Sequence, residues 1–147
     1  MFAVECGELE LMEGWSEADP TLRGRFDFPI SVETGAASTS VVYFELRPGD
    51  HCGRHTHSAE EILLIFAGRA EVEVDGELAL LSDGGLVLVP ARAPHDVRNV
   101  GNGQLKVVGF FSSAAVITEL EERLAPIGED VLVIGAPPPD VATAATG

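Results

Sequence analysis

The chain has 147 residues, a length that suits one domain with a core of its own. Its 24 acidic and 9 basic residues give a formal net charge of −15, which repels nucleic-acid phosphates and anionic lipid headgroups and makes both unexpected partners. No apolar run reaches the length of about 18 residues that spans a bilayer. The acidic N-terminus lacks a secretory pattern, so we expect a cytoplasmic protein. We also expect Cys6 and Cys52 to be reduced thiols.

The first part of the chain, residues 1–37, has separate apolar patches and is expected to be an N-terminal arm that crosses a barrel or a partner. Residues 38–112 are predicted to form the β core, because short runs rich in Val, Leu, Ile and Phe each end at Gly, Pro, Asp or Asn. The predicted strands lie in TSVVYFELR (39–47), EILLIFAG (61–68), RAEVEVDGELALL (69–81), LVLVP (86–90), HDVRNV (95–100) and LKVVGFF (105–111).

Two features of these strands indicate how they assemble. Asp75-Gly76 lies between two alternating runs and predicts a two-residue hairpin turn. Runs such as EILLIF are apolar on both faces, which favours a closed barrel or a sandwich with a covered outer face. We therefore expect another subunit on one outer face, in a homodimer.

The C-terminal part is predicted to contain a short helix. In residues 113–135 the segment AAVITELEERL places Val116, Ile117, Leu120 and Leu124 at helical intervals, so a helix followed by a strand is expected to pack on the barrel. Residues 136–147 have no apolar periodicity and are expected to form a flexible tail.

The four histidines all lie between positions 51 and 95. His55 and His57 are two residues apart, so an extended strand would place both imidazoles on one face. Glu61 follows after a three-residue step, and His95 comes from a separate strand. Three imidazoles and one carboxylate suit iron, manganese, cobalt, nickel, copper or zinc rather than calcium or magnesium. His51, in the turn before this group, is not expected to reach it.

The same residues lie in two spaced motifs. The stretch GDHCGRHTHSAEEILLIFAG (49–68) resembles the first motif of the cupin superfamily, G-x5-H-x-H-x3-E-x6-G, at every fixed position, and GGLVLVPARAPHDVRN (84–99) resembles the second, G-x5-P-x-G-x2-H-x3-N, except at Arg92. The resemblance, to small single-domain cupins, implies an all-β fold, a double-stranded β-helix or jelly-roll barrel. It also implies one divalent metal ion inside the barrel, held by His55, His57, Glu61 and His95.

Two further residues are candidates for roles in the pocket. Arg92 replaces the motif's glycine, and it is either a solvent-facing loop residue or a substrate-binding residue that pairs with a carboxylate. Tyr43, the only tyrosine, is either a core residue with a satisfied hydroxyl or a catalytic acid or base beside Glu61.

Fold alone does not choose a reaction. The resemblance favours a metal-dependent enzyme on a small organic substrate, with dioxygenase chemistry the first expectation and Glu61 as a base. The alternatives are a non-redox isomerase, lyase or cyclase in which the metal polarises a carbonyl, and a small-molecule binding module without turnover.

Overall fold

The computed structural model describes residues 1–135 and confirms the predicted all-β jelly roll. Two short 3₁₀ helices, Cys6–Glu8 and Val32–Thr34, accompany the strands. The strands are β1 (Met12–Trp15), β2 (Arg23–Ile30), β3 (Ser40–Leu46), β4 (His55–His57), β5 (Glu61–Ala67), β6 (Arg69–Val74), β7 (Glu77–Ser82), β8 (Leu86–Val89), β9 (His95–Asn99), β10 (Leu105–Phe111), β11 (Val116–Leu124) and β12 (Glu129–Ile134).

These strands form two antiparallel six-stranded sheets within the described residues. The first sheet has the order β1-β2-β3-β10-β5-β8 and the second β12-β11-β4-β9-β6-β7. Alternate residues of both sheets point inward, and the apolar core between them includes Leu63, Ile65, Val72, Val97 and Val107. The core therefore lies between the two sheets.

Local turn chemistry explains where the strands reverse. Asp75 and Gly76, with φ of 50° and 83°, form the predicted hairpin turn between β6 and β7. The side chain of Asn99 ends β9 by donating to the carbonyls of Leu46 and Gly103, both at 2.8 Å. The second motif is thereby tied to the end of β3.

The segment predicted as a C-terminal helix is strand β11, so that prediction is wrong. β11 pairs with β4 through Thr118 and Leu120 and with β12 through Val116 and Ile117. Pairing on both sides satisfies its backbone hydrogen bonds and buries Val116 and Thr118 on one face, which outweighs the helical spacing of its apolar residues. The β-branched run Val116-Ile117-Thr118 was the signal in favour of a strand.

The structure describes the N-terminal segment of the chain but not its C-terminal end. Residues 12–15 and 23–30, within the expected arm, form β1 and β2 and extend the first sheet. The predicted flexible tail, residues 136–147, lies outside the described residues. Among residues 1–135 no helix has the length and apolar character needed to cross a membrane.

The outer face of β5, β8 and β10 carries an apolar patch of five uncharged side chains. Ile62, Phe66, Leu86, Leu88 and Phe110 are 44–65% exposed. They are neighbours in register, with Ile62 opposite both Leu88 and Phe110. Contiguous exposed apolar surface of this kind is typical of protein interfaces.

We predict a homodimer formed through this patch. In a chain of net charge −15, two copies approach most easily through an uncharged face. Light scattering should give the mass of a dimer for the wild type and of a monomer for Leu88→Glu, while Glu60→Gln, at an exposed acidic position, should stay dimeric. A monomeric wild-type protein at micromolar concentration would refute the prediction.

Candidate metal centre

Four side chains of the two motifs converge inside the barrel. His55 and His57 project from the same face of β4, and His95 on β9 lies directly opposite His55 in the register. Glu61 is the first residue of β5, across the barrel in the other sheet, and is only 2% exposed. The two sheets thus contribute three imidazoles and one carboxylate to one point.

The potential ligand atoms are close together. Nε2 of His55 lies 3.1 Å from Nε2 of His57, and Oε1 of Glu61 lies 3.5 Å from Nε2 of His57 and 3.4 Å from Nε2 of His95. The ligand atoms of the three histidines all lie within 4.8 Å of one another. These separations allow a single ion to contact all of them.

Each imidazole is oriented by a hydrogen bond at its other nitrogen. Nδ1 of His55 donates to the carbonyl of Gly53 (2.6 Å), and Nδ1 of His95 donates to the carbonyl of Ala93 (2.8 Å). Nδ1 of His57 lies 2.7 Å from the hydroxyl of Thr118 on β11. With Nδ1 carrying the proton, the lone pair of each Nε2 faces the shared point, as metal-binding histidines require.

The site fits a divalent cation because two of its buried atoms have no other partner. Among the described residues, Oε1 of Glu61 and Nε2 of His95 are buried without a hydrogen bond of good geometry. Buried polar atoms are otherwise almost always satisfied. A cation at the shared point would satisfy both.

Burial also sets the protonation of these groups. It lowers the pKa of His55 to about 3 and that of His57 to about 2, with neighbouring histidines adding to the effect. Burial raises the pKa of Glu61, an effect that His95 partly offsets. The imidazoles of His55 and His57 are therefore neutral at pH 7, the form that binds metal.

Comparison with known proteins agrees with this geometry. The family model described as "Cupin domain" matches residues 42–111. Protein SchB of Streptomyces halstedii is 30% identical over 102 residues, which cover 64% of this chain and 74% of SchB. The chain belongs to the cupin family.

Other proteins are similar over shorter or more divergent stretches. The polyketide synthase CurC of Streptomyces cyaneus is 36% identical over 86 residues, 57% of this chain, and the match spans about half of CurC (55%). The oxalate decarboxylase of Lactobacillus farciminis shares the fold with a TM-score of 0.67 and 20% identity over 78% of this chain and 34% of its own. The polyketide cyclase RemF of Streptomyces resistomycificus has a TM-score of 0.61 and 16% identity, covering 76% of this chain and 78% of RemF.

The cupin barrel has a cavity of about 100 Å³ that contains the four converging side chains. Its remaining wall is largely apolar, with Phe26 and Phe28 of β2 and Phe44 of β3 among the lining residues. Arg25 also borders it, but its guanidinium pairs with Glu45 at 3.4 Å. Within the described part of this cupin, no cationic side chain other than Arg25 lines the cavity.

Tyr43 does not lie in the cavity, contrary to the catalytic role considered for it. Its neighbours on β3, Val42 and Phe44, line the cavity, so strand alternation places Tyr43 on the opposite face of the sheet. Its hydroxyl donates to Glu45 at 2.6 Å. Burial, and then the bond to Glu45, raise the pKa of Tyr43 above its usual value. Tyr43 is a core residue with a satisfied hydroxyl.

Arg92 is an exposed loop residue and is not among the residues that line the cavity. Its φ of 66° shows why the cupin motif has glycine there. Its backbone N–H donates to the carbonyl of His57 at 2.8 Å. The backbone of Arg92, rather than its side chain, therefore contributes to the site.

Several residues that support the centre were not identified from the sequence. Thr118 orients His57 from a segment expected to be helical. Gly109 on β10 leaves room for the Glu61 carboxylate, which a Cβ at that position would overlap. Cys52 lines the cavity, and burial raises the pKa of its thiol well above the usual value. Only their positions in the folded barrel show these roles, since no local pattern distinguishes them.

Proposed function

We propose that the protein is a metal-dependent enzyme that acts on a largely apolar, carbonyl-bearing substrate of the polyketide type, in a non-redox cyclase-like reaction. The observation that carries this proposal is the position of the three-histidine, one-glutamate cluster inside a cavity whose wall is otherwise mostly apolar. Such a wall favours hydrocarbon and aromatic groups, and the cluster supplies the polar contacts.

The cavity wall argues against a small dianionic substrate. A dicarboxylate needs a cationic side chain for the carboxylate that does not reach the metal, and the guanidinium of Arg25 is already paired with Glu45. The aromatic rings of Phe26, Phe28 and Phe44 offer faces for a planar substrate instead. A divalent cation bound by the cluster would polarise a substrate carbonyl.

The size of the cavity limits how a polyketide would bind. Its volume of about 100 Å³ is below the range of roughly 300–1,000 Å³ typical of ligand sites. The reacting part of a substrate would enter, and the remainder would extend past the partly exposed rings of Phe26 and Phe28 towards solvent.

Glu61 is the candidate acid–base group. A carboxylate beside a polarised carbonyl can accept a proton from the adjacent carbon, and Glu61 is the acidic residue of the cluster. The similarity to the polyketide synthase CurC supports a substrate of this class. The three-histidine, one-glutamate donor set also supports the oxygen-dependent alternative, a dioxygenase.

Turnover of a short linear poly-β-ketone in air and under argon tests the proposal. We expect product at the same rate in both, without oxygen consumption, and loss of turnover after chelation. The Glu61→Gln variant should lose turnover, whereas Glu60→Gln, at the exposed neighbouring position, should keep it. Turnover only in air would favour the dioxygenase, and binding without turnover in either gas would favour a binding module.

A further inference from the structure

The direction of His55 depends on a single backbone carbonyl, that of Gly53, which accepts the Nδ1 proton at 2.6 Å. Gly53 lies between β3 and β4, outside both strands, with φ of 91°. It is also packed closely against the cavity wall, because a Cβ there would lie 2.9 Å from Leu22. The contacts that fix the backbone of Gly53 therefore also help to orient His55.

The side chain of Asp96 fixes the backbone of Gly53 at its N–H. Oδ1 of Asp96 accepts the backbone N–H of Gly53 at 3.0 Å and the thiol of Cys52 at 3.5 Å. Asp96 follows His95 on β9, and strand alternation directs its carboxylate away from the metal cluster and under the loop that carries Gly53. Strand β9 therefore supplies His95 directly and orients His55 through the loop.

His51 positions Asp96 in turn through a hydrogen bond. Nδ1 of His51 lies 2.7 Å from Oδ2 of Asp96, and Nε2 lies 2.9 Å from Oδ2 of Asp19. The backbone of His51 is fixed as well, since its N–H donates to Thr21 (2.9 Å) and its carbonyl accepts from Arg23 (3.2 Å). The ring is only 10% exposed, so it spans the space between the two carboxylates.

We propose that Asp96 and His51 are positioning residues for the metal centre. Together they fix the backbone of Gly53 and, through its carbonyl, the ring of His55, so that Nε2 is aimed at the shared point before an ion binds. This inference rests on the proposed metal-dependent function. The hydrogen bond from a metal-binding histidine to its outer partner contributes about 10–100-fold to metal affinity, and Asp96 acts on that bond through Gly53.

Cobalt(II) is the probe for the test, since it suits a nitrogen-rich donor set and has a visible spectrum that reports ligand geometry. Competition with a chelator should show about 10–100-fold weaker binding for Asp96→Ala, with a changed spectrum. Asp96→Asn keeps an oxygen that can accept the Gly53 N–H, so it should recover most of the affinity. Asp50→Asn is the matched control, because Asp50 lies in the same loop and pairs with Arg47.

The outcomes separate the two proposals. If the wild-type protein does not bind cobalt(II), the proposed function and this inference both fail. If the wild type binds and Asp96→Ala matches it in affinity and spectrum, only the inference fails, even when the melting temperature is lower. If circular dichroism shows that Asp96→Ala is unfolded, the same titration is made with His51→Phe. Weaker cobalt(II) binding by His51→Phe is then expected, and wild-type affinity would overturn the inference.

Discussion

Replacing His57 or His95 by alanine is expected to remove bound metal from the purified protein while the barrel stays folded. The two residues lie 38 positions apart and on different strands, but both Nε2 atoms lie within 3.5 Å of Oε1 of Glu61. Loss of a ligand should lower metal affinity by more than the roughly 10–100-fold that follows from loss of a supporting hydrogen bond. The fold should persist because the apolar core lies between two six-stranded sheets and does not include the cluster.

Metal per chain by elemental analysis, with circular dichroism for the fold, measures this effect. Glu60→Gln is the control, since Glu60 adjoins Glu61 but is exposed. Equal losses in the two histidine variants and full metal in the control are the expected pattern. Full metal in His95→Ala with none in His57→Ala would show that the four side chains do not share one ion.

Gly109→Ala is expected to lower both stability and metal binding. A Cβ at Gly109 would overlap Oε2 of Glu61 and lie 2.7 Å from Cγ1 of Val42. Both neighbours belong to closely paired strands, so the carboxylate must be displaced from the cluster. Overpacking of this kind costs about 1–3 kcal/mol, and the displaced Glu61 should also bind metal less tightly.

Thermal or urea unfolding, together with cobalt(II) titration, checks this effect. Gly103→Ala is the matched control, because the same Cβ at Gly103 would meet no atom within 4 Å. We expect wild-type behaviour for Gly103→Ala. Wild-type stability and affinity in Gly109→Ala would mean that the strands relax around the methyl group and that the glycine is not required.

The β core and the convergence of the histidines were predictable because both depend on short-range patterns. The apolar runs, the Asp75-Gly76 turn and the two-residue spacing of His55 and His57 are properties of adjacent residues. The spacing of the two motifs then matched a known family, which extended the prediction to Glu61 and His95. These four residues do converge in the folded chain.

Contacts between distant strands made the predicted C-terminal helix wrong, and the folded backbone decided where Tyr43 and Arg92 lie. Val116 and Leu120 have helical spacing, but β4 and β12 provide strand partners on both sides of β11. Tyr43 is near the motif in sequence, but the alternation of β3 directs it away from the cavity. For Arg92, the backbone conformation rather than the charge explains its position in the motif.

The fold class follows from strand alternation and turn residues, which are local features of the sequence, and the four converging residues follow from two spaced motifs that resemble those of a known family. How those residues are supported depends on contacts that exist only in the folded chain. Thr118, Gly53 and Asp96 orient or brace the histidines through hydrogen bonds, most of which join segments more than 40 residues apart. The apolar character of the cavity likewise arises only when both sheets close around it. Each strand alone presents two faces, and nothing in its sequence shows which face will line a site.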